Sequence, residues 1–313
     1  SYTDIKWEQK EELIQLIDKE IDQAYTTTIV NDSFLTAAER KESSIIFTPL
    51  HGTSIVSLPP VLEQAGYRKV HIIEEQKDPN GDFPTVVSPN PEEPEAFTLA
   101  LKKAKSIEAD IVLGTDPDAD RIGIGVKDLN GKWTLLNGNQ LMVVLTRFVL
   151  EQQTSIENSF IASTVVSTPL MEKMAAAFGV ECKLGLTGFK WIGKMIQDTP
   201  TKNFLCGGEE SYGFLVGDKV RDKDAISAAL LACDLQSYLK GKDSSIYAYL
   251  LDTYQRFGCY QESLQSMTKK GKQGAEEIAQ LMRKMRQDSP KTIANKAVVK
   301  MDDFQLGHTK HAD

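Results

Sequence analysis

Three aspartates, Asp116, Asp118 and Asp120, occupy alternate positions in the segment Gly114-Thr115-Asp116-Pro117-Asp118-Ala119-Asp120-Arg121, directly after the apolar run Ile111-Val112-Leu113. Carboxylates crowded in this way repel one another unless they share a cation, and hard oxygen donors favour Mg2+, Mn2+ or Ca2+. The competing reading is a solvated acidic turn that closes a strand, because Asp and Pro are ordinary turn formers and 26% of the chain is charged. An EF-hand is excluded. Counting from Asp116, the sixth position is Arg121, where a glycine is needed, and the twelfth is Lys127, where a bidentate glutamate is needed. The alternating run Ile122-Gly123-Ile124-Gly125-Val126 reads as a second strand, so the carboxylates lie on a strand-to-strand loop.

Four further segments have residue types suited to holding an anion or a polyol, and each has a plain structural alternative. In Leu186-Thr187-Gly188-Phe189-Lys190-Trp191-Ile192-Gly193 a turn precedes a helix, so backbone N–H groups and Lys190 could face an anion; an exposed lysine beside core aromatics explains the same letters. In Cys206-Gly207-Gly208-Glu209-Glu210-Ser211-Tyr212-Gly213 two carboxylates and a hydroxyl follow a strand between glycines, a pattern fit for sugar hydroxyls or for an ordinary polar turn. Arg221-Asp222-Lys223-Asp224 leads into a helix that Asp224 can cap, leaving the two cations for phosphate or for solvent. His51, in Thr48-Pro49-Leu50-His51-Gly52-Thr53, reads as a turn residue or a polar contact.

The elements that must carry these segments alternate between short apolar runs and amphipathic stretches. The periodicity predicts a helix over residues 8–26, a strand at 45–47, a helix ending at Gly66, a strand at 70–73, an extended loop over 78–94 and a helix over 95–105. After the aspartate loop it predicts a helix over 140–152, a strand over 160–166, a helix over 169–178, a strand at 182–184, a helix over 189–196, a strand at 204–206 and a helix over 225–238. The expected fold class is therefore α/β, with two consecutive α/β domains of mixed sheets flanked by helices, and no residue-level repeat between them. Past Gly241 helices are expected over 244–255 and 273–286 and strands near 259–264 and 297–299, with no evident element at the end. That piece reads as an incomplete α+β segment. The domains are expected at 1–129, 130–243 and 244–313.

Composition bounds the class. The chain has 313 residues, 41% of them hydrophobic, and a net charge of -8, which argues against a general nucleic-acid binder but leaves anionic substrates open. Cys182, Cys206, Cys233 and Cys259 are widely spaced, without a C-x-x-C pair, so neither a zinc site nor a disulfide framework is expected. The sequence has no signal pattern and no apolar run of membrane length; a cytoplasmic protein with no membrane partner is expected.

In chain order, Thr48-Pro49-Leu50-His51-Gly52, the aspartate segment, Thr187-Gly188-Phe189-Lys190, Gly208-Glu209-Glu210-Ser211-Tyr212-Gly213 and Arg221-Asp222-Lys223-Asp224 resemble the successive motifs of the α-D-phosphohexomutases. Within that superfamily they are most similar to the bacterial phosphoglucomutase/phosphomannomutase branch, which has phosphopentomutase-like relatives. The resemblance runs over nearly all of residues 1–313. It implies one Mg2+ held by Asp116, Asp118 and Asp120 together with a phosphoserine oxygen, with Arg121 approaching that phosphoserine. It also implies Lys190 near the reacting oxygen, as acid/base or electrostatic assistant. Glu209 and Ser211 match residues that hold sugar hydroxyls in two substrate orientations, and Thr187, Gly188, Arg221 and Lys223 match substrate-binding positions. The Gly-Glu-Glu-Ser form accompanies a glucose preference.

The implied reaction interconverts glucose 1-phosphate and glucose 6-phosphate through a hexose 1,6-bisphosphate, with hexose phosphates as the partners. Such phosphoryl transfer needs positioning and charge neutralisation more than covalent help. Family members have four domains, the first with a nucleophilic serine in a Thr-Ala-Ser-His-Asn-Pro-like loop and the last with an Arg-Pro-Ser-Gly-Thr-like phosphate clamp. Neither motif occurs in these residues. Ser88, in Val87-Ser88-Pro89-Asn90-Pro91, matches a second-domain segment rather than the nucleophile, and Ser163-Thr164 lacks the flanking context. The chain is thus expected to correspond to domains two and three with part of domain four, and to be inactive by itself. The alternatives are a noncatalytic phosphosugar- or metal-binding module, or a parent with phosphomannomutase or phosphopentomutase specificity.

Overall fold

β-Branched and aromatic residues fill the first sheet. The structure, a computed structural model, describes residues 10–17, 19–40, 42–262, 269–293 and 295–311, and the chain forms two compact units, residues 1–262 and 263–313. The first unit opens with helices α1 (Lys19–Asn31) and α2 (Ala37–Arg40), followed by β1 (Ser44–Thr48), α3 (Ser54–Ala65), β2 (Lys69–Ile72), α4 (Thr98–Ser106), β3 (Ile111–Thr115), β4 (Ile122–Lys127) and β5 (Trp133–Leu135). The strands lie in the order β2-β1-β3-β4-β5, the first three parallel and the last two antiparallel. Successive residues feed opposite faces: Ile45 and Phe47 join one core and Ile46 the other, as do Ile111 and Leu113 against Val112. A strand covered on both faces is apolar along most of its length, as β1 is over Ile45–Phe47 and β3 over Ile111–Leu113.

The second sheet repeats this topology. Helix α5 (Gly138–Gln152) leads to β6 (Ser159–Thr164), α6 (Leu170–Phe178), β7 (Glu181–Gly185), α7 (Lys190–Asp198), β8 (Asn203–Gly208), β9 (Phe214–Val216), α8 (Ala225–Lys240) and α9 (Ile246–Phe257). The order β7-β6-β8-β9 has three parallel strands and one antiparallel strand, matching β2-β1-β3-β4 in the first sheet. The expected α/β class with two consecutive domains is what the chain adopts. Gly66 ends α3, its N–H bonding back to the Leu62 and Glu63 carbonyls, and Asp224 caps α8 through the N–H of Ile226.

Helix α8 joins the two sheets. It is apolar nearly all round, as a helix buried on every side must be, and packs against α3, β3 and β4 of the first domain as well as α5 and β9 of the second. Its one fully buried acid, Asp234, accepts two hydrogen bonds from the Arg40 guanidinium, both 2.8 Å, and one from the Tyr67 hydroxyl at 2.9 Å. Burial pushes the Asp234 carboxyl up, and Arg40 opposes that rise. On the far side, Arg147 of α5 stacks on the Tyr249 ring of α9 and bonds to Glu151 and Asp252, fixing α9 in place.

Several expectations need correction. The helix expected over 8–26 begins at Lys19, after a short 3-10 turn at Glu11–Leu13; residues 8, 9 and 18 lie outside the described set. No strand forms at 259–262, and 263–264 lie outside the described residues. Strand β11 is only Lys296–Ala297, paired with β10 (Thr292–Ile293) after helix α10 (Gly271–Gln287). The chain also has a late element that was not expected, a hairpin of β12 (Lys300–Asp303) and β13 (His308–His311), whose Phe304-Gln305-Leu306-Gly307 turn hides in an otherwise unpatterned stretch. Among the described residues, no helix is long and apolar enough to cross a membrane.

The Arg40–Asp234 pair supplies a stability test. Asp234→Ala leaves a buried guanidinium without its partner and is expected to lower unfolding stability by about 3–5 kcal/mol. Chemical denaturation measures this, and an unchanged midpoint would show that the pair does not hold the domains together.

Candidate active site

Loops leaving the C-terminal ends of β1, β3, β7 and β8 meet where the two sheets join, the edge at which open α/β sheets bind ligands. At the end of β3, a turn closed by the Ala119 N–H on the Asp116 carbonyl turns the chain back into β4. The Asp116 side chain faces inward and its Oδ1 accepts the N–H groups of Asp120 (3.0 Å) and Arg121 (2.9 Å). Asp118 is exposed and Asp120 half-buried, yet one oxygen from each of the three lies within 4.8 Å of the others. All are hard donors in a solvent-open loop, a set that fits a divalent cation. Burial pushes the Asp116 carboxyl up to about 7, with a downward pull from the Arg121 N–H and further upward pressure from Asp120 and Asp118.

The loop after β1 braces the aspartates from beneath. Thr53 donates to the Pro117 carbonyl through its N–H (2.8 Å) and its hydroxyl (3.0 Å), and Ser54 bonds to Thr115. Gly52 is required there, since a Cβ on it would stand 2.4 Å from the Pro117 Cα. His51 is buried and bridges the Asp78 carbonyl and the Thr85 hydroxyl, pinning the expected 78–94 loop; its side chain points away from the carboxylates toward that loop. Leu50, His51, Ala119 and Tyr212 all have positive φ without being glycine, at 48°, 60°, 62° and 68°. Such strain persists only where surrounding contacts over-determine the backbone.

The second domain grips the same loop. Arg121 forms an antiparallel bridge with Gly213, Ile122 donates to the Tyr212 carbonyl, and Ala225, at the start of α8, donates to the Ala119 carbonyl. Lys223 Nζ reaches Asp120 Oδ2 at 3.1 Å, and Arg121 stands 3.7 Å from Asp120 and 3.8 Å from Asp116. Glu209 is buried and its Oε1 accepts the Gly188 N–H at 2.9 Å, which ties the loop after β8 to the loop after β7. Burial raises the Glu209 carboxyl, while that N–H and the nearby Lys223 and Arg121 pull it down. Glu210 turns the other way, accepting from Ser167 at 2.9 Å.

Asp116, Asp118, Asp120, Arg121, Glu209, Gly188 and Lys223 therefore form one connected set. Thr187 and Arg221 lie exposed in the adjoining loops, Lys190 is exposed at the start of α7 and Ser211 is half-buried; none of the four makes a side-chain hydrogen bond or ion pair among the described residues. Lys190 is the first residue of α7, beside Phe189, whose ring lies 5.6 Å from Lys223 Nζ. Sequence reasoning missed Glu92, which receives a hydrogen bond from Arg121 at 3.2 Å. No spacing rule links positions this far apart, and Glu92 sits in a loop that reads only as punctuation.

Comparison with known proteins bears on the two domains that carry these loops. A family model described as phosphoglucomutase/phosphomannomutase, alpha/beta/alpha domain II, matches residues 23–131, and its domain III counterpart matches residues 137–255. A phosphoglucomutase of Staphylococcus epidermidis is 33% identical over 300 residues, covering 96% of this chain and 55% of that protein. One from Staphylococcus aureus is 34% identical over 275 residues, covering 88% and 50%. The chain spans about half the length of the curated relatives it matches. In fold it is similar to parafusin, a phosphoglucomutase from Paramecium, with a TM-score of 0.60 at 20% identity over 92% of this chain and 51% of that one. A phosphoglucomutase/phosphomannomutase family protein from Burkholderia thailandensis gives a TM-score of 0.60 at 19% identity over 74% and 46%. With both domain models matched in sequence order, the chain belongs to the phosphoglucomutase/phosphomannomutase family and carries its domains II and III.

Proposed function

We propose that this chain is the cation- and sugar-binding core of a phosphoglucomutase that interconverts glucose 1-phosphate and glucose 6-phosphate by way of a hexose 1,6-bisphosphate. The observation that carries the reading is the single connected set of three carboxylates, Arg121, Lys223 and the Glu209–Gly188 tie at the junction of the two sheets. In this reading residues 1–129 form the metal-bearing domain, 130–243 the sugar-bearing domain and 244–313 the start of a further one.

Asp116, Asp118 and Asp120 would hold Mg2+, which when bound supplies charge neutralisation for a transferring phosphoryl group. Arg121 is braced by Glu92 and directs its guanidinium beside the carboxylates, suited to a phosphate oxygen. Glu209 holds the Gly188 N–H and with Ser211 offers acceptors and a donor to sugar hydroxyls. Thr187, Arg221 and Lys223 lie on the loops that adjoin this set and would bind the substrate phosphate. Lys190, at the helix start, is the candidate for proton transfer at, or electrostatic support of, the reacting oxygen.

Three outcomes follow. Calorimetric titration of the 313-residue chain should detect Mg2+ binding at millimolar concentration, lost in the Asp116→Asn/Asp118→Asn/Asp120→Asn variant; undiminished heat in that variant contradicts the site. Because Asp116 has its carboxyl raised to about 7 rather than lowered, the cation-free fold loses stability as pH rises from the ordinary carboxyl range toward 7, where the unfolded chain has already released that proton. A cation needs the ionised form, so the Mg2+-induced gain in Tm should be larger at pH 8 than at pH 6; an equal gain would mean Asp116 is not a ligand. In a coupled assay for glucose 6-phosphate, the 313-residue chain alone should be inactive. Turnover by it that survives the triple substitution would overturn both the metal role and the need for residues beyond this chain.

A further inference from the structure

The carboxylate loop has two cationic neighbours of its own, and they are held differently. Arg121 belongs to the loop: its N–H bonds to Asp116 and its guanidinium to Glu92. Lys223 comes from the other domain. Its ammonium sits 3.1 Å from Asp120 Oδ2 and 3.1 Å from Asp222 Oδ1, and its side chain is only 17% exposed. The stem lies against Gly213, where a Cβ would be 2.4 Å from Lys223 Cδ, and the ammonium stands 5.6 Å from the centre of the Phe189 ring. This packed stem ends in an ammonium that Asp120 and Asp222 share. An ammonium and a divalent ion repel each other, so they compete for one carboxylate oxygen.

We propose that Lys223 is the internal counter-ion of the carboxylate loop, occupying Asp120 while no divalent cation is bound and handing it over when one arrives. The proposal rests on Asp116, Asp118 and Asp120 being the cation ligands. Its consequence is a coupling between two ligands: the cation releases the Lys223 ammonium from Asp120, and the freed ammonium is then available to an anionic group such as a sugar phosphate. By linkage, the anion strengthens cation binding by the same factor.

The test is Mg2+ titration by calorimetry on the 313-residue chain and its variants, read as affinity and not as turnover. Lys223→Met keeps the packed stem and removes the competing charge, and should bind Mg2+ roughly tenfold more tightly than the unmodified chain. Lys223→Arg, which keeps the charge, should stay near the unmodified value. Lys219→Gln removes one charge from an exposed position in the same loop and should change affinity by less than about twofold. Thermal melts confirm folding, and Lys223→Gln serves as a second neutral variant. Affinity in Lys223→Met and Lys223→Gln equal to or weaker than that of the unmodified chain, with Mg2+ binding intact, overturns the counter-ion role alone. Absence of binding in every variant, the unmodified chain included, overturns the cation site and the counter-ion role with it.

Discussion

Mutual repulsion among three carboxylates is the constraint around which the rest of the first unit is arranged. Bringing one oxygen of each of Asp116, Asp118 and Asp120 within 4.8 Å of the others is unfavourable without positive charge, and the fold supplies that charge from both of its domains. It also over-determines the backbone. Pro117 is held from below by Thr53, Ala119 from α8 and Ile122 from Tyr212, so the left-handed Ala119 has no room to relax. A loop held at this many points keeps its three carboxylates clustered.

The two domains cannot be separated without dismantling this loop. Helix α8 is the shared wall: its apolar surface completes the cores of both sheets, its N-terminus donates to the Ala119 carbonyl, and its Asp234 anchors Arg40 and Tyr67 of the first domain. A buried ion pair is a weak source of net stability but a strict one in geometry, because neither partner tolerates the loss of the other. That strictness sets where Lys223 and Ala225 meet the aspartate loop. The repeated strand order brings the loops after β1 and β3 of one sheet and after β7 and β8 of the other to a single junction.

Much of this was legible in the residues. The apolar runs at Ile111 and Phe160 and the glycine at position 66 placed strands and a helix end, because period-two burial and left-handed caps leave direct traces in the letters. The alternate spacing of the aspartates likewise signalled three carboxylates gathered on one loop. The structural repeat stayed hidden because topology constrains only polarity and length, not residue identity. Helix α3 contains Pro59 and Pro60, which local propensity would exclude; burial of Leu58, Val61 and Leu62 overrides it. Glu92 could not be found, as its partner Arg121 becomes a neighbour only through folding of the 78–94 loop, pinned by His51. The β12–β13 hairpin was invisible because its strands are mostly polar, without the apolar alternation that announces a strand.

Crystals of the 313-residue chain grown with Mn2+ and measured at its absorption edge test the central claim most directly. The account predicts one anomalous peak within about 2.0–2.4 Å of an oxygen from each of Asp116, Asp118 and Asp120, with the Lys223 ammonium moved away from Asp120. A saturating Mn2+ concentration that leaves those three carboxylates without a peak would contradict it.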